Sequence, residues 1–141
     1  MSIWKHDYTI ESINNLSANT INVSLGIEFT QIGNDFLEAR MPVDHRTHQP
    51  MGLLHGGASV VLAETLGSCA GSMCVNFEEE YVVGLEINAN HIKAVKSGFV
   101  FGTAKPVHIG KKTQVWEIKI VNEKQELVCI SRLTLAVIKK S

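Results

Sequence analysis

From Gly52 to Val75 the chain holds one carboxylate, Glu64, and no lysine or arginine. A charge in so apolar a run loses several kcal/mol of solvation unless something answers it. Two answers are open: an ion pair with His55 or Arg46, or a catalytic role in which the carboxylate attacks an electrophilic carbon or takes a proton from water. The neighbouring residue types favour catalysis. His55-Gly56-Gly57 opens the run, and free amides at Gly56 and Gly57 can hold developing negative charge with help from the helix dipole. Glycine there also lets a bulky ligand approach the backbone. Gln49 precedes His55 by six residues. Ser68, four after Glu64, shares its helix face and can bond either the carboxylate or its own backbone.

His55 can be read as a general base or as a residue that caps and orients a helix start, and the supporting role is the expectation. Asp44-His45-Arg46-Thr47-His48 gathers imidazoles ahead of it. Their spacing matches no zinc pattern, so a solvated polar loop without a metal is expected.

These groups need a scaffold. Gly56 to Val75 is apolar around most of its circumference, the pattern of a helix wrapped by other elements. Gly67 and Gly71, one turn apart, leave room for a neighbouring backbone. Ahead of it, Thr9 can cap a short helix carrying Ile10, Ile13 and Leu16 and ending near Ser17 to Asn19. Leu25 to Ile32 and Phe36 to Val43 read as strands joined by a tight turn at Gly33-Asn34-Asp35. Pro42 to Met51 is a polar loop. After an acidic turn, Asn76 to Glu80, four strands are expected: Tyr81 to Val95, Phe99 to Ile109, Thr113 to Val121 and Leu127 to Ile138. Trp116, Ile118 and Ile120 alternate with Glu117 and Lys119, the period of a strand with one wet face. Strands before and after a single buried helix imply an α+β fold, an antiparallel sheet wrapped around one long central helix.

The 141 residues suit one domain, 1–141, and the hydrophobic fraction of 45% suffices for a packed core. A net charge of -1 draws the chain neither to nucleic acid nor to an anionic membrane. Cys69, Cys74 and Cys129 form no C-x-x-C pair and lie in apolar stretches, as reduced core thiols of a cytoplasmic protein do. The first residues lack the apolar core of a signal peptide. The long apolar run has the length to span a bilayer, but His55, Glu64 and its glycines and serines argue for a buried helix.

The segments Gln49-Pro-Met-Gly-Leu-Leu-His55-Gly56-Gly57, Glu64-Thr-Leu-Gly-Ser68 and Gly84-Leu-Glu-Ile-Asn88-Ala-Asn90-His91 resemble the hotdog-fold acyl-CoA thioesterases. Within them they are similar to the bacterial 1,4-dihydroxy-2-naphthoyl-CoA hydrolases of menaquinone biosynthesis and their phenylacetate-pathway relatives. The likeness covers nearly the whole chain, and the H-G-G-x(6)-E segment with its upstream glutamine is fairly specific. It implies that Glu64 is nucleophile or general base and that the Gly56 amide polarises the thioester carbonyl. Gln49 would hold the acyl carbonyl or the attacking water, His55 would orient the site, and Ser68 would supply a hydroxyl one turn beyond the acid. CoA would lie along Val83, Asn90-His91-Ile92-Lys93 and Val107-His108-Ile109-Gly110-Lys111-Lys112. Lys93 with Lys96, and Lys111 with Lys112, would offer cations to its phosphates. No cofactor is implied, since the CoA thioester is the substrate.

Gly56 and Glu64, eight residues apart on one helix, are separated by about 12 Å of rise. One chain's carboxylate and its own amide are therefore not expected to meet the same carbon. Antiparallel packing of two long helices across a twofold axis would bring each Glu64 to the partner subunit's Gly56. An obligate homodimer with shared sites is expected, and the resemblance adds a homotetramer made of two such dimers. The fold hosts other chemistry, so a 3-hydroxyacyl thioester dehydratase relying on His55 and a non-catalytic acyl-CoA sensor stand as alternatives.

Overall fold

The computed structural model describes residues 1–141 as two short helices, α1 (Ile10–Asn15) and α2 (Ile21–Leu25), strands β1 (Glu28–Ile32) and β2 (Leu37–Pro42), the long helix α3 (Gly56–Met73), and strands β3 (Glu80–His91), β4 (Phe99–Ile109), β5 (Thr113–Val121) and β6 (Leu127–Lys139). The strands form one sheet in the order β1-β2-β4-β5-β6-β3, every pair antiparallel. α3 packs against five of the six strands.

Thr9 caps α1 through a reciprocal pair with Ser12, and Asn14 then binds both the N–H and the C=O of Phe29 at 2.9 and 3.0 Å, fastening α1 to β1. Ile13 is buried, but Leu16 falls beyond the helix end and is 77% exposed. The expected strand from Leu25 is corrected: Leu25 ends α2, and β1 begins at Glu28. Thr20 caps this five-residue helix, and Gly26 closes it in the left-handed conformation at φ 73°. So short a helix shows no apolar period by which to read it.

The inward faces of β5 and β6 bury Gln114, Trp116, Ile118 and Ile120, and Cys129, Ser131, Leu133 and Leu135. Against them α3 lays Leu62, Ala63, Leu66 and Ala70, all fully buried. A buried leucine contributes about 1.5–3 kcal/mol here. Gly67 and Gly71 do leave room, but for side chains rather than a backbone. A Cβ on Gly67 would stand 2.5 Å from Leu133 Cδ2, and one on Gly71 would run into Leu135 Cδ1.

β3 stops at His91, short of the expected Val95. Ile92 and Lys93 both turn their amides to Val128 O, where the partner strand runs out. Within β3, Gly84 faces Leu135 and Glu86 faces Thr134, so Leu85 is an extra, unpaired residue. Such a bulge shifts the side-chain alternation by one. Val82 and Gly84 before it, and Ile87, Ala89 and His91 after it, therefore share the face toward α3. The other edge of β3 is unpaired and carries exposed Tyr81, Val83 and Leu85. No helix is long and apolar enough to cross a membrane.

Candidate active site

His55 ends the loop before α3 in an extended conformation, and its ring Nδ1 accepts the Gly57 N–H at 2.8 Å. That bond makes Nδ1 the acceptor and leaves Nε2 as the ring's donor. The Gly57 amide is thus already spent, which corrects the expectation of two free donors. Ala58 and Ser59 N–H both turn to His55 O, so in this first turn only the Gly56 N–H lacks an acceptor within the chain.

Gly56 lines a cavity of about 330 Å³ with Gln49, Ser59, His91, Ile92 and Lys93. The loop is held in place by Thr47 Oγ1 donating to Pro42 O at 2.7 Å, His55 N–H donating to Thr47 O at 2.8 Å and Leu54 N–H donating to Val95 O at 2.8 Å. Gln49 Oε1 accepts the Met51 N–H, which leaves the side-chain NH2 as the group Gln49 can offer a ligand. His91 reaches the same place from β3, its Nε2 2.8 Å from where a Cβ on Gly56 would stand.

Glu64 lies two turns further along α3, half-buried and directed at Gly84 of β3. The proposed ion pair is not there. Arg46 is taken by Asp44 at 2.7 Å, and the His55 ring is taken by Gly57. Ser68 sits one turn on, half-buried on the same helix face. Glu64 and Ser68 are not among the residues around the Gly56 cavity. One chain thus keeps its carboxylate apart from its unspent amide.

The imidazoles of the loop do not converge. His45 is exposed beside Asp44, and His48 Nε2 lies 2.8 Å from Lys96 O. Arg46 holds the Asp44 carboxyl well below the ordinary carboxylate range by direct hydrogen bonds.

The residues expected along CoA fall in several places. His91, Ile92 and Lys93 join Gln49 and Gly56, with Lys93 Nζ 3.2 Å from Glu126. Asn122 first, and Lys93 second, hold the Glu126 carboxyl below its ordinary range. Lys96 lines an adjoining cleft with Lys124. Asn90 points to the opposite face of the sheet, toward Asn88, Glu117 and Arg132, and so does not meet His91. Val83 is exposed on β3, and Val107 is the unpaired residue of a second bulge, between Pro106 and His108. The His108 ring folds over Gly110.

Ile109, Gly110, Lys111 and Lys112 line a second cavity, of about 450 Å³, at the carboxyl end of α3 beside Cys74. Lys5 and Lys139 line it too. Lys5 is brought there by its N–H bond to Met73 O at 2.9 Å. Sequence reasoning missed both lysines and gave Gly84 no role of its own. No local pattern joins residue 5 to residue 139, but a glycine in the middle of a strand was a legible signal of close approach.

Residues 51–129 match the family model of the thioesterase superfamily. The 1,4-dihydroxy-2-naphthoyl-CoA hydrolase of Escherichia coli (strain K12) is 54% identical over 136 residues, 96% of this chain and 99% of its own. The proofreading thioesterase EntH of Cronobacter turicensis is 53% identical over 135 residues, 96% of this chain and 98% of its own. A crystal structure of a thioesterase from Haemophilus influenzae superposes with a TM-score of 0.95 at 53% identity, covering 97% of this chain and 95% of that one. A glutamine-to-alanine variant of a thioesterase from Pseudomonas aeruginosa gives 0.97 at 47% identity, covering 99% and 100%. The sheet around one long helix is the hotdog fold. Matched over more than half its length by the family and over nearly all of it by these relatives, the chain belongs to the thioesterase superfamily and is a hydrolase of thioesters.

Proposed function

We propose that the protein hydrolyses aromatic acyl-CoA thioesters, of the 1,4-dihydroxy-2-naphthoyl-CoA kind and with tolerance for other acyl groups, to the free acid and CoA. The observation that carries this reading is Glu64, a carboxylate with no cationic partner on the helix whose first amide, Gly56, is also unspent. Glu64 either attacks the carbonyl carbon, expelling CoA thiolate and leaving an anhydride that water cleaves, or takes a proton from water that attacks the same carbon. On both routes the partner subunit's Gly56 amide bears the charge that builds on the carbonyl oxygen. The side-chain NH2 of Gln49 donates to that oxygen, and Ser68 hydrogen-bonds the carboxylate or its water. His55 fixes the turn that presents Gly56.

The partner is required because Gly56 and Glu64 of one chain are about 12 Å apart along α3. The unpaired apolar edge of β3 is where a second copy pairs strand to strand, giving a dimer with two shared sites. Two such dimers make the tetramer. Antiparallel α3 helices bring the lysine-lined cavity of one protomer toward the Gly56 end of the other, which supports docking of CoA phosphates among Lys5, Lys111, Lys112 and Lys139. The aryl acyl group rests on similarity to the E. coli enzyme, and a role in menaquinone biosynthesis follows from it. Reduced thiols fit a cytoplasmic location. The dehydratase alternative asks His55 for a free base, but its Nδ1 lone pair is committed to Gly57.

The test is release of CoA, followed with a thiol-reactive dye, from a panel of aryl and alkyl acyl-CoAs with the native protein and Glu64→Gln. Fast turnover of aryl substrates that drops by orders of magnitude in a folded, still dimeric variant supports the reading. Absent release, or release unchanged by the substitution, refutes it.

A further inference from the structure

Gly84 is a glycine that neither the backbone nor the core requires. Its φ lies outside the left-handed region, which among the glycines is occupied at Gly26, Gly52 and Gly98. It is exposed in the protomer, on the edge strand β3, unlike Gly67 and Gly71, whose missing Cβ atoms make room for core leucines. A Cβ built on Gly84 would stand 2.6 Å from Glu64 Oε2 and 3.8 Å from Glu64 Cδ, with no other heavy atom of its surroundings within 4 Å. The bulge at Leu85 keeps this position on the inward face, paired with Leu135.

We propose that Gly84 is a positioning residue for the reaction: the absence of a side chain at this point of β3 sets where the Glu64 carboxylate stops. The inference rests on the reading of Glu64 as the catalytic group. Within the protomer a methyl here meets only the end of a flexible side chain, so the protomer's own fold yields nothing and the carboxylate must move. Alanine is also the better strand residue, since glycine loses more conformational freedom on folding. Gly84→Ala therefore keeps or raises stability while turnover falls, the reverse of what structural damage does. Displacing a reacting group by a fraction of an ångström to an ångström reduces turnover on the order of 10- to 100-fold.

The experiment compares native protein, Gly84→Ala, Glu64→Asp, the double variant and Glu64→Gln by steady-state CoA release, urea midpoint and oligomeric state. Expected for Gly84→Ala is a kcat loss on the order of 10- to 100-fold at unchanged KM, with an undiminished urea midpoint. In the Glu64→Asp background, where the shorter carboxylate stops clear of β3, the added methyl changes kcat little; such non-additivity marks direct contact between the two sites. Native turnover in Gly84→Ala overturns the inference, as does an equal fold-loss in both backgrounds. Should Gly84→Ala fail to fold, a double variant that folds sustains it, and a double variant that also fails overturns it, because the methyl then meets something other than Glu64. An inactive Glu64→Gln beside an unaffected Gly84→Ala refutes this inference alone, whereas an active Glu64→Gln refutes the reading beneath it.

Discussion

His91 Nε2 stands 2.8 Å from the point a Cβ on Gly56 would occupy, so a side chain of β3 lies against the residue that carries the one unspent amide of the first turn of α3. Gly56→Ala forces the imidazole away and crowds the approach to that amide. Loss of one oxyanion donor lowers kcat by on the order of 10²–10³. Steady-state kinetics of Gly56→Ala, alone and with His91→Ala, check this: the second substitution makes room for the methyl and recovers part of the loss.

His55 acts on the helix start, through the 2.8 Å bond it accepts from Gly57 N–H. His55→Ala should reduce stability by about 0.5–2 kcal/mol, as loss of a cap does. Its turnover should fall by less than that of Glu64→Gln. His55→Asn, which keeps a short acceptor at the cap, should regain most of the stability in a urea melt. A His55→Ala enzyme as inactive as Glu64→Gln would instead favour a direct chemical role for the imidazole.

Gln114 is fully buried, with Trp116 Nε1 donating to its Oε1 at 2.8 Å and its own Nε2 donating to Gly71 O at 3.3 Å. Gln114→Leu keeps the volume and strands the indole N–H in the core. An unsatisfied buried donor costs about 1–3 kcal/mol. The urea midpoint should fall accordingly, and the combination with Trp116→Phe, which removes the stranded donor, should recover part of it.

Asp44 titrates lower in the folded protein than in the unfolded chain, because it accepts hydrogen bonds from the Arg46 side chain and backbone. A depressed carboxyl contributes stability that is fully present above its unfolded value, 3.8, and is lost as pH falls from there toward the folded value. The pair is partly exposed, so the effect is small. Between pH 7 and pH 3 the native protein should lose slightly more stability than Asp44→Asn, as read by the difference in urea midpoints.

Burial pushes the thiol of Cys69 up to about 12 and that of Cys74 up to about 11, and raises that of Cys129. The thiolate is the reactive form. At pH 8 the native protein should therefore react slowly with a thiol-reactive dye and leave CoA release readable above a flat background. In urea all three cysteines should label rapidly. Fast labelling of the native protein would contradict the burial of these side chains.

What repeats with a local period was legible in the sequence. The apolar run from Gly56 marked α3, the alternation of Trp116, Ile118 and Ile120 marked β5, and Gly33-Asn34-Asp35 marked the first hairpin. Glu64 declared itself by its isolation, because desolvating a charge is costly wherever the helix ends up. Which groups meet was decided only by tertiary structure. One unpaired residue, Leu85, turns both Gly84 and His91 toward α3, and nothing in the sequence marks that register because strand pairing fixes it. The commitment of Gly57 to the His55 ring left Gly56 as the free amide of the first turn. Lys5 and Lys139 reach Lys111 and Lys112 because Met73 holds the amino-terminal segment and the sheet carries β6 past the β4–β5 turn. Such neighbours are distant along the chain, and only the closing of the sheet around α3 makes them adjacent.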